Sequence, residues 1–406
     1  MKKLMILGGS RYIIPVIKKA HDMGIYVITC DFLPENIAHK YSDQYCNVSI
    51  IDKEATLKKA QELQINGVIS FACDPGVITA AYIAEKMNLP FQGSYESVRV
   101  LQDKGLFREF LTTNKFNCPK AKRYTDKIDS YRDIDYFNWP VIVKPVDSAG
   151  SKGISKVETK EELSVAIKKA IEQSHNGAFI IEEFLHFDGF HSSADIFTVN
   201  GKIEFVSYSD QLFDRKAANP YAPTYIIWPS TMKKYYQDEL TRETQRLMNL
   251  LGMRTGIYNV ESCVANGKVY LMEVSPRGGG CKIAELEHLA YGIDFIENEI
   301  RMALDMPLVD MKQKECMGNW CEMVVHSLCD KEGVLNSICI DDEIERKYLM
   351  IKDLSVKKGD LIEAFTGANM SLGDLIFKFE SREQLDRIMS ENNKWLQIKF
   401  ERINAR

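Results

Sequence analysis

Apolar and polar positions switch between two periods along the first part of the chain. Leu4–Leu7 is an unbroken apolar run, short enough for a buried strand. Residues 12–23 carry apolar side chains at helical spacing, and Gly24 stands where a C-terminal cap belongs. Ile25–Cys30 predicts a second strand and 53–64 a helix. Val68–Phe71 predicts a third strand, and Pro75–Met87 a helix with proline near its start. Strand and helix in alternation argue for a parallel sheet covered by helices.

A second unit begins after Cys118-Pro119. Trp139–Val143 predicts a strand, 147–153 a Gly/Ser loop, and Ala178–Leu185 another strand. Between them Thr159-Lys-Glu-Glu162 has the form of a capping box for a helix to about Gln173. Two Asn-Gly dipeptides between apolar runs, at 200–201 and 266–267, predict hairpins. Residues 209–232 hold Pro220, Pro223 and Pro229 with little periodicity, and a large loop bordering a site is expected there. A helix over 235–251 closes on Gly252. Past residue 310, turns at Gly359, Gly367 and Gly373 and a helix from Ser381-Arg-Glu-Gln384 predict a small α+β cap. The expected domains are 1–112, 113–187, 188–308 and 309–406: one α/β unit followed by α+β units.

Composition narrows the function class. The chain has 406 residues, 45% hydrophobic and 27% charged, with a formal net charge of −5. That balance is globular and disfavours a broad grip on nucleic acid, which needs a basic surface. No segment approaches the roughly 20 apolar residues that span a bilayer. The opening apolar run stops at Gly8-Gly9, too short for a signal peptide, so a cytoplasmic protein is expected. The 10 cysteines, at 30, 46, 73, 118, 263, 281, 316, 321, 329 and 339, include no C-x-x-C pair, which argues for reduced thiols over structural zinc.

Gly8-Gly9-Ser10 followed by Asp31 has the layout of a dinucleotide fold. The G-x-G-x-x-G fingerprint fails, because Ser10 and Ile13 occupy its second and third glycine positions. A plain strand-to-helix turn, or a sheet edge that helps hold a substrate, remains.

Lys144 stands at the end of a buried strand and precedes Pro-Val-Asp-Ser148-Ala-Gly150-Ser151-Lys-Gly153. A buried ammonium needs an anionic partner. A small flexible loop can turn its backbone N–H groups toward an anion, so the pair describes a phosphate cradle. The alternative is a surface loop with Lys144 paired to a carboxylate. Lys104, in Gln-Asp-Lys-Gly-Leu-Phe-Arg, heads a helix.

Glu261 and Glu273 each interrupt an apolar strand, on either side of Asn266-Gly267. Two carboxylates in one buried hairpin repel unless a cation sits between them, and Mg²⁺ fits oxygen ligands. A three-residue loop, Ala265-Asn266-Gly267, would pair Val264 with Lys268 and put Glu261, Glu273, Ser275 and Arg277 on one face. A two-residue loop would separate the glutamates, so the odd loop is expected. The competing arrangement leaves one glutamate exposed and the other salt-bridged.

Taken together, Lys144, the Gly/Ser loop, Ile181-Glu182-Glu183-Phe184-Leu185 and Glu261-x11-Glu273-x-Ser275-Pro-Arg277-Gly-Gly-Gly280 resemble the ATP-grasp superfamily over nearly the whole chain. The resemblance implies an N-terminal parallel α/β domain, two α+β subdomains sandwiching ATP, and a C-terminal cap. It implies that Lys104, Lys144, Ser148, Gly150, Ser151 and Gly153 hold phosphates. Glu182 would face the adenine amino group, and the Glu183, Phe184 and Leu185 backbone the ring edge. His191 stands where the family usually has a ribose-binding Glu. Glu261, Glu273 and Ser275, the last in place of the usual Asn, would ligate Mg²⁺ or Mn²⁺, with Arg277 near the transferred phosphoryl. The N-terminal segment resembles carbamoyl phosphate synthetase halves and purine-pathway carboxylases, and the cap resembles L-amino-acid ligases.

The implied chemistry is phosphoryl transfer from ATP to a small carboxylate and capture of the acyl phosphate by an amine. No protein nucleophile is required, and Cys281 beside the triple glycine is read as packing. Arg254, Arg215, Lys216 and His288 are candidates for gripping substrate carboxylates. Competing readings are a carboxylase or carbamoyl-phosphate-type synthetase, a non-catalytic ATP-binding protein suggested by His191 and Ser275, and an NAD oxidoreductase. A homodimer is the default expectation.

Overall fold

The computed structural model describes residues 1–327 and 333–402. Cys329 lies outside them. The N-terminal sheet is parallel, in the order Gln44–Asn47, Tyr26–Asp31, Lys3–Leu7, Gly67–Ile69. Its strands read as continuous apolar runs because both faces are covered. Leu4, Ile6 and Val27 enter one core, while Met5, Leu7 and Ile28 enter the other.

The next sheet is antiparallel, ordered Ala121–Tyr124, Phe179–Glu183, Val141–Pro145, Ser155–Val157. Helix Leu163–Glu172 covers it through Leu163, Ala166, Ile167 and Ala170. The capping box does not form. The Thr159 side chain makes no capping bond, and Glu162 Oε2 accepts from the N–H of Glu158 at 3.0 Å. A 3₁₀ turn over Lys160–Glu162 starts the segment in its place.

A third sheet, Lys202–Tyr208, Ser192–Val199, Gly256–Ala265, Lys268–Ser275, is also antiparallel and carries helix Lys234–Leu251. Both Asn-Gly turns are tight two-residue loops with both central residues at positive φ: 52° and 79° at Asn200-Gly201, 51° and 68° at Asn266-Gly267.

The stretch 209–232 is not a large loop. It contains the strands Asp210–Phe213 and Pro223–Trp228, which pair antiparallel. They extend a sheet completed by Asn319–Val325, Gly373–Phe379 and Leu349–Leu354. Proline at a strand's first residue and just after its last leaves the interior ladder intact, and Thr-Tyr-Ile-Ile-Trp between them favours a pleated surface. A three-stranded sheet, Leu361–Ile362, Gly333–Ile340, Leu396–Arg402, lies beyond. Helix Arg382–Ser390 is capped by Ser381, which accepts from the N–H of Gln384. Among the described residues no helix is long and apolar enough to cross a membrane.

Candidate active site

The two hairpin glutamates lie directly opposite each other, Glu261 paired with Glu273. The expected three-residue loop is not how this happens. Ala265 pairs with Lys268 across Asn266-Gly267, and that register alone would put the glutamates on opposite faces. A β-bulge corrects it. Ser262 pairs with Leu271 and Glu261 with Glu273, so Met272 is the extra residue and alternation shifts by one. Arg108 holds the bulge, its Nη1 donating to the Met272 carbonyl at 2.9 Å.

Lys104 and Arg108 share a face of helix Lys104–Thr113, four residues apart. Lys104 Nζ lies 3.2 Å from Glu273 Oε2 and donates to the Ser148 carbonyl at 3.1 Å. It thereby joins the carboxylate pair to the Gly/Ser loop. Burial disfavours the Lys104 ammonium, but Glu273 and Asp74 outweigh it and raise its pKa. The Glu261 carboxyl is pushed up to about 7, first by burial and then by Glu273. A cation between the two carboxylates would remove that repulsion, so the donor set fits Mg²⁺.

Lys144 is buried, and its partner is a carboxylate: Nζ lies 2.5 Å from Glu182 Oε1. Arg108 Nε takes the other oxygen, Glu182 Oε2, at 2.9 Å. Glu182 is thus a bridge between two cations, not a group left open to an adenine amino group. Burial pushes its carboxyl up, but Arg108 and Lys144 outweigh that and hold it at about 2. In the neighbouring segment the N–H groups of Glu183 and Phe184 donate to the carbonyls of Lys120 and Pro140, and the Glu183 side chain accepts from Asn138. Within the backbone expected at a ring edge, the N–H groups of Glu183 and Phe184 are thus engaged.

His191 is buried between the rings of Phe187 and Phe213, 5.4 and 6.0 Å away, with Nδ1 2.8 Å from Gln211 Oε1. Burial lowers it to about 4, so the ring is neutral at pH 7. The Gly/Ser loop adopts positive φ at Gly150, Ser151 and Gly153. It is docked by the Ser151 hydroxyl, which donates to the Tyr221 carbonyl at 2.8 Å.

Ser275 does not offer a free hydroxyl. It donates to Asp74 Oδ1 at 2.6 Å and accepts from Gln102 Nε2 at 2.7 Å. Arg277 grips the same carboxylate with two bonds, Nε to Oδ1 at 2.9 Å and Nη2 to Oδ2 at 2.8 Å. Asp74 opens helix Asp74–Met87, so the N-terminal sheet orients the arginine. A cavity of about 360 Å³ is lined by Asp74, Gln102, Lys104, Ser148 and Glu273. Arg254, Arg215, Lys216 and His288 are all exposed.

Sequence reasoning missed Asp74, Arg108 and Gln102. The helical spacing of Arg108 from Lys104 was a usable signal. Asp74 in Cys-Asp-Pro-Gly looks like any acid in a helix's first turn.

Residues 137–285 match the ATP-grasp domain. The chain is 25% identical over 311 residues to a formate-dependent phosphoribosylglycinamide formyltransferase of Prochlorococcus marinus subsp. pastoris, a match spanning 76% of this chain and 77% of that protein. Among solved structures it superposes on an L-amino acid ligase from Bacillus licheniformis with a TM-score of 0.81 at 18% identity, covering 99% of both chains. It superposes on a phosphoribosylglycinamide synthetase from Anaerococcus prevotii with a TM-score of 0.77 at 20% identity, covering 98% of this chain and 100% of that one.

Proposed function

This chain carries an ATP-grasp domain within an ATP-grasp fold, and on that premise we propose that it is an ADP-forming, Mg²⁺-dependent ligase joining a small carboxylate to an amine. One observation carries the reading. Glu261 and Glu273 are paired across a hairpin, and Lys104 bonds both Glu273 and the carbonyl of Ser148 in the Gly/Ser loop. The carboxylate pair and the Gly/Ser loop, read as the phosphate cradle, are thereby joined through one lysine.

Glu261 and Glu273 would hold Mg²⁺ or Mn²⁺, which when bound neutralises charge on the β- and γ-phosphates. Lys104 and Lys144 add positive charge beside the triphosphate. Arg277, oriented by Asp74, offsets charge on the transferred phosphoryl. A substrate carboxylate oxygen bonds to the γ-phosphorus as the bond to ADP breaks, giving an acyl phosphate. The amine nitrogen then bonds to the acyl carbon, phosphate leaves with the C–O electron pair, and the nitrogen loses its proton. The docked Gly/Ser loop excludes water that would hydrolyse the intermediate. Ser275 acts by orienting Asp74, which leaves a two-glutamate metal set.

The formate dependence of the formyltransferase relative and the likeness to an L-amino acid ligase define the panel: formate, bicarbonate and pooled amino acids, each with ATP and Mg²⁺. Release of ADP and phosphate that depends on a carboxylate other than bicarbonate, with an amide identified by mass spectrometry, is the expected result. Dependence on bicarbonate alone would replace the ligase with a carboxylase. ATP binding without turnover across the panel would leave a binding protein.

A further inference from the structure

Three side chains converge beyond the triple glycine and take no part in the reaction above. Cys281 directly follows Gly280. Glu322 lies on Asn319–Val325 and Asp374 on the adjacent strand Gly373–Phe379. There Glu322 pairs with Ile376 and Val324 with Asp374, which makes the two acids diagonal neighbours on one face. One ligand atom from each of Cys281, Glu322 and Asp374 lies within 4.8 Å of the other two.

Glu322 and Asp374 are both 0% exposed. Each has one oxygen engaged. Glu322 Oε1 accepts the Lys282 N–H at 2.6 Å, and Asp374 Oδ2 pairs with Arg11 Nη2 at 2.6 Å. The second oxygen of each, Glu322 Oε2 and Asp374 Oδ1, is buried without a hydrogen-bond partner. Such an oxygen is costly to bury. The charged groups around them are mostly acidic: Glu285, Glu287 and Asp353 stand near the pair, opposite Arg11 and Lys282, with Tyr12 and the Cys281 thiol as neutral neighbours. Burial and this like charge push both carboxyls up.

We propose that Cys281, Glu322 and Asp374 form a site for a divalent transition-metal ion, Zn²⁺ by the chemistry of the donors, at the joint of the N-terminal turn, the triple-glycine loop and the C-terminal sheet. A thiolate with two carboxylates suits Zn²⁺ and is poorly matched to Mg²⁺ or Ca²⁺, which prefer all-oxygen shells. Three protein donors leave a fourth position for water. Cys281 is the partly exposed member of the set, and a Cβ on Gly280 would meet nothing within 4 Å, so an entry side exists. Binding displaces the thiol proton to solvent and supplies positive charge. It ties Arg11 and its turn, the loop after Arg277 and two strands of the cap to one point. The site is independent of the ligase assignment.

The test uses the full chain, stripped with a chelator and titrated with Co²⁺ and then Zn²⁺. One Co²⁺ per chain with a sulfur-to-cobalt charge-transfer band is expected, displaced by Zn²⁺, together with a rise in melting temperature of several degrees. The band should vanish in Cys281→Ser and in Glu322→Gln and persist in Glu273→Gln, which separates this site from the Mg²⁺ hairpin. If Glu322→Gln fails to fold, Cys281→Ser decides. No band in the unmodified protein overturns the proposal, as does a band that survives Cys281→Ser. A proton shared by the two carboxyls, the competing way to offset their charge, gives the overturning pattern: melting that depends on pH but not on metal.

Discussion

Two acidic positions share the cleft, and they are neutralised in opposite ways. Glu182 sits between Lys144 and Arg108, each holding one oxygen, and its carboxyl is held down at about 2. Glu261 sits opposite another glutamate, is half-buried, and is pushed up to about 7. The first site carries its own counter-ions and behaves as framework. The second is short of positive charge, and a cation from solution would restore it. Carboxylates thus separate into structure and function by whether the fold has already provided their partner.

The hairpin half of that contrast is broken most completely by Glu273→Ala. The substitution removes one of the two metal donors and the carboxylate that Lys104 holds. ADP release in the substrate panel is expected to fall below detection while far-ultraviolet circular dichroism is retained. On the framework side, Glu182→Ala leaves Lys144 and Arg108 buried without their carboxylate. A loss of about 3–5 kcal/mol in urea-denaturation stability is expected. If the loss is under about 1 kcal/mol, Glu182 is no framework residue.

Metal linkage sharpens the contrast. MgADP at a hundredfold excess over its Kd should stabilise the unmodified chain by about 2.7 kcal/mol. The Glu261→Gln chain should gain far less, read as the difference in melting temperature with and without Mg²⁺. The pH dependence has a definite sign. The folded state raises the Glu261 pKa above its unfolded value, so between about 4.5 and 7 the native state binds more protons and stability falls as pH rises. The unmodified chain minus Glu261→Gln, measured without Mg²⁺, should show a decline on the order of 2 kcal/mol over that window and a plateau above it. For Glu182 the sign reverses: its contribution is present above about 4.5 and is lost as pH falls toward 2. The smallest effect is at the turn. Gly267 has φ 68°, and Gly267→Ala should cost about 1 kcal/mol in thermal stability without changing the Mg²⁺ response.

The hairpin also shows how a sequence argument can reach the right pairing by the wrong route. Spacing and the need for a shared cation pointed to Glu261 facing Glu273. Asn266-Gly267, a strong two-residue turn, pointed the other way. The conflict is resolved at Met272, where nothing in the local sequence announces a bulge. Its carbonyl is held by Arg108, from a helix far away in the chain. The strand Pro223–Trp228 was legible in its β-branched and aromatic residues, but the prolines at its ends made the stretch read as loop. Thr159 carries a capping signature and does not cap, because the segment begins as a 3₁₀ turn.

Sequence alone determined the elements and the chemical inventory. Apolar periodicity set the parallel sheet and the hairpins, and Lys144, Glu261, Glu273 and Arg277 were each conspicuous as a charge at the edge of an apolar run or beside a glycine-rich segment, whereas Lys104 drew its weight only from the motifs downstream. Tertiary structure decided which charges meet. Asp74 reaches Arg277 and Ser275 across more than 200 residues of chain, and Arg108 reaches Glu182 across 74. Local sequence carries no record of such partners, because Coulomb attraction and desolvation act through space. A buried charge finds its counter-ion only when separate elements pack.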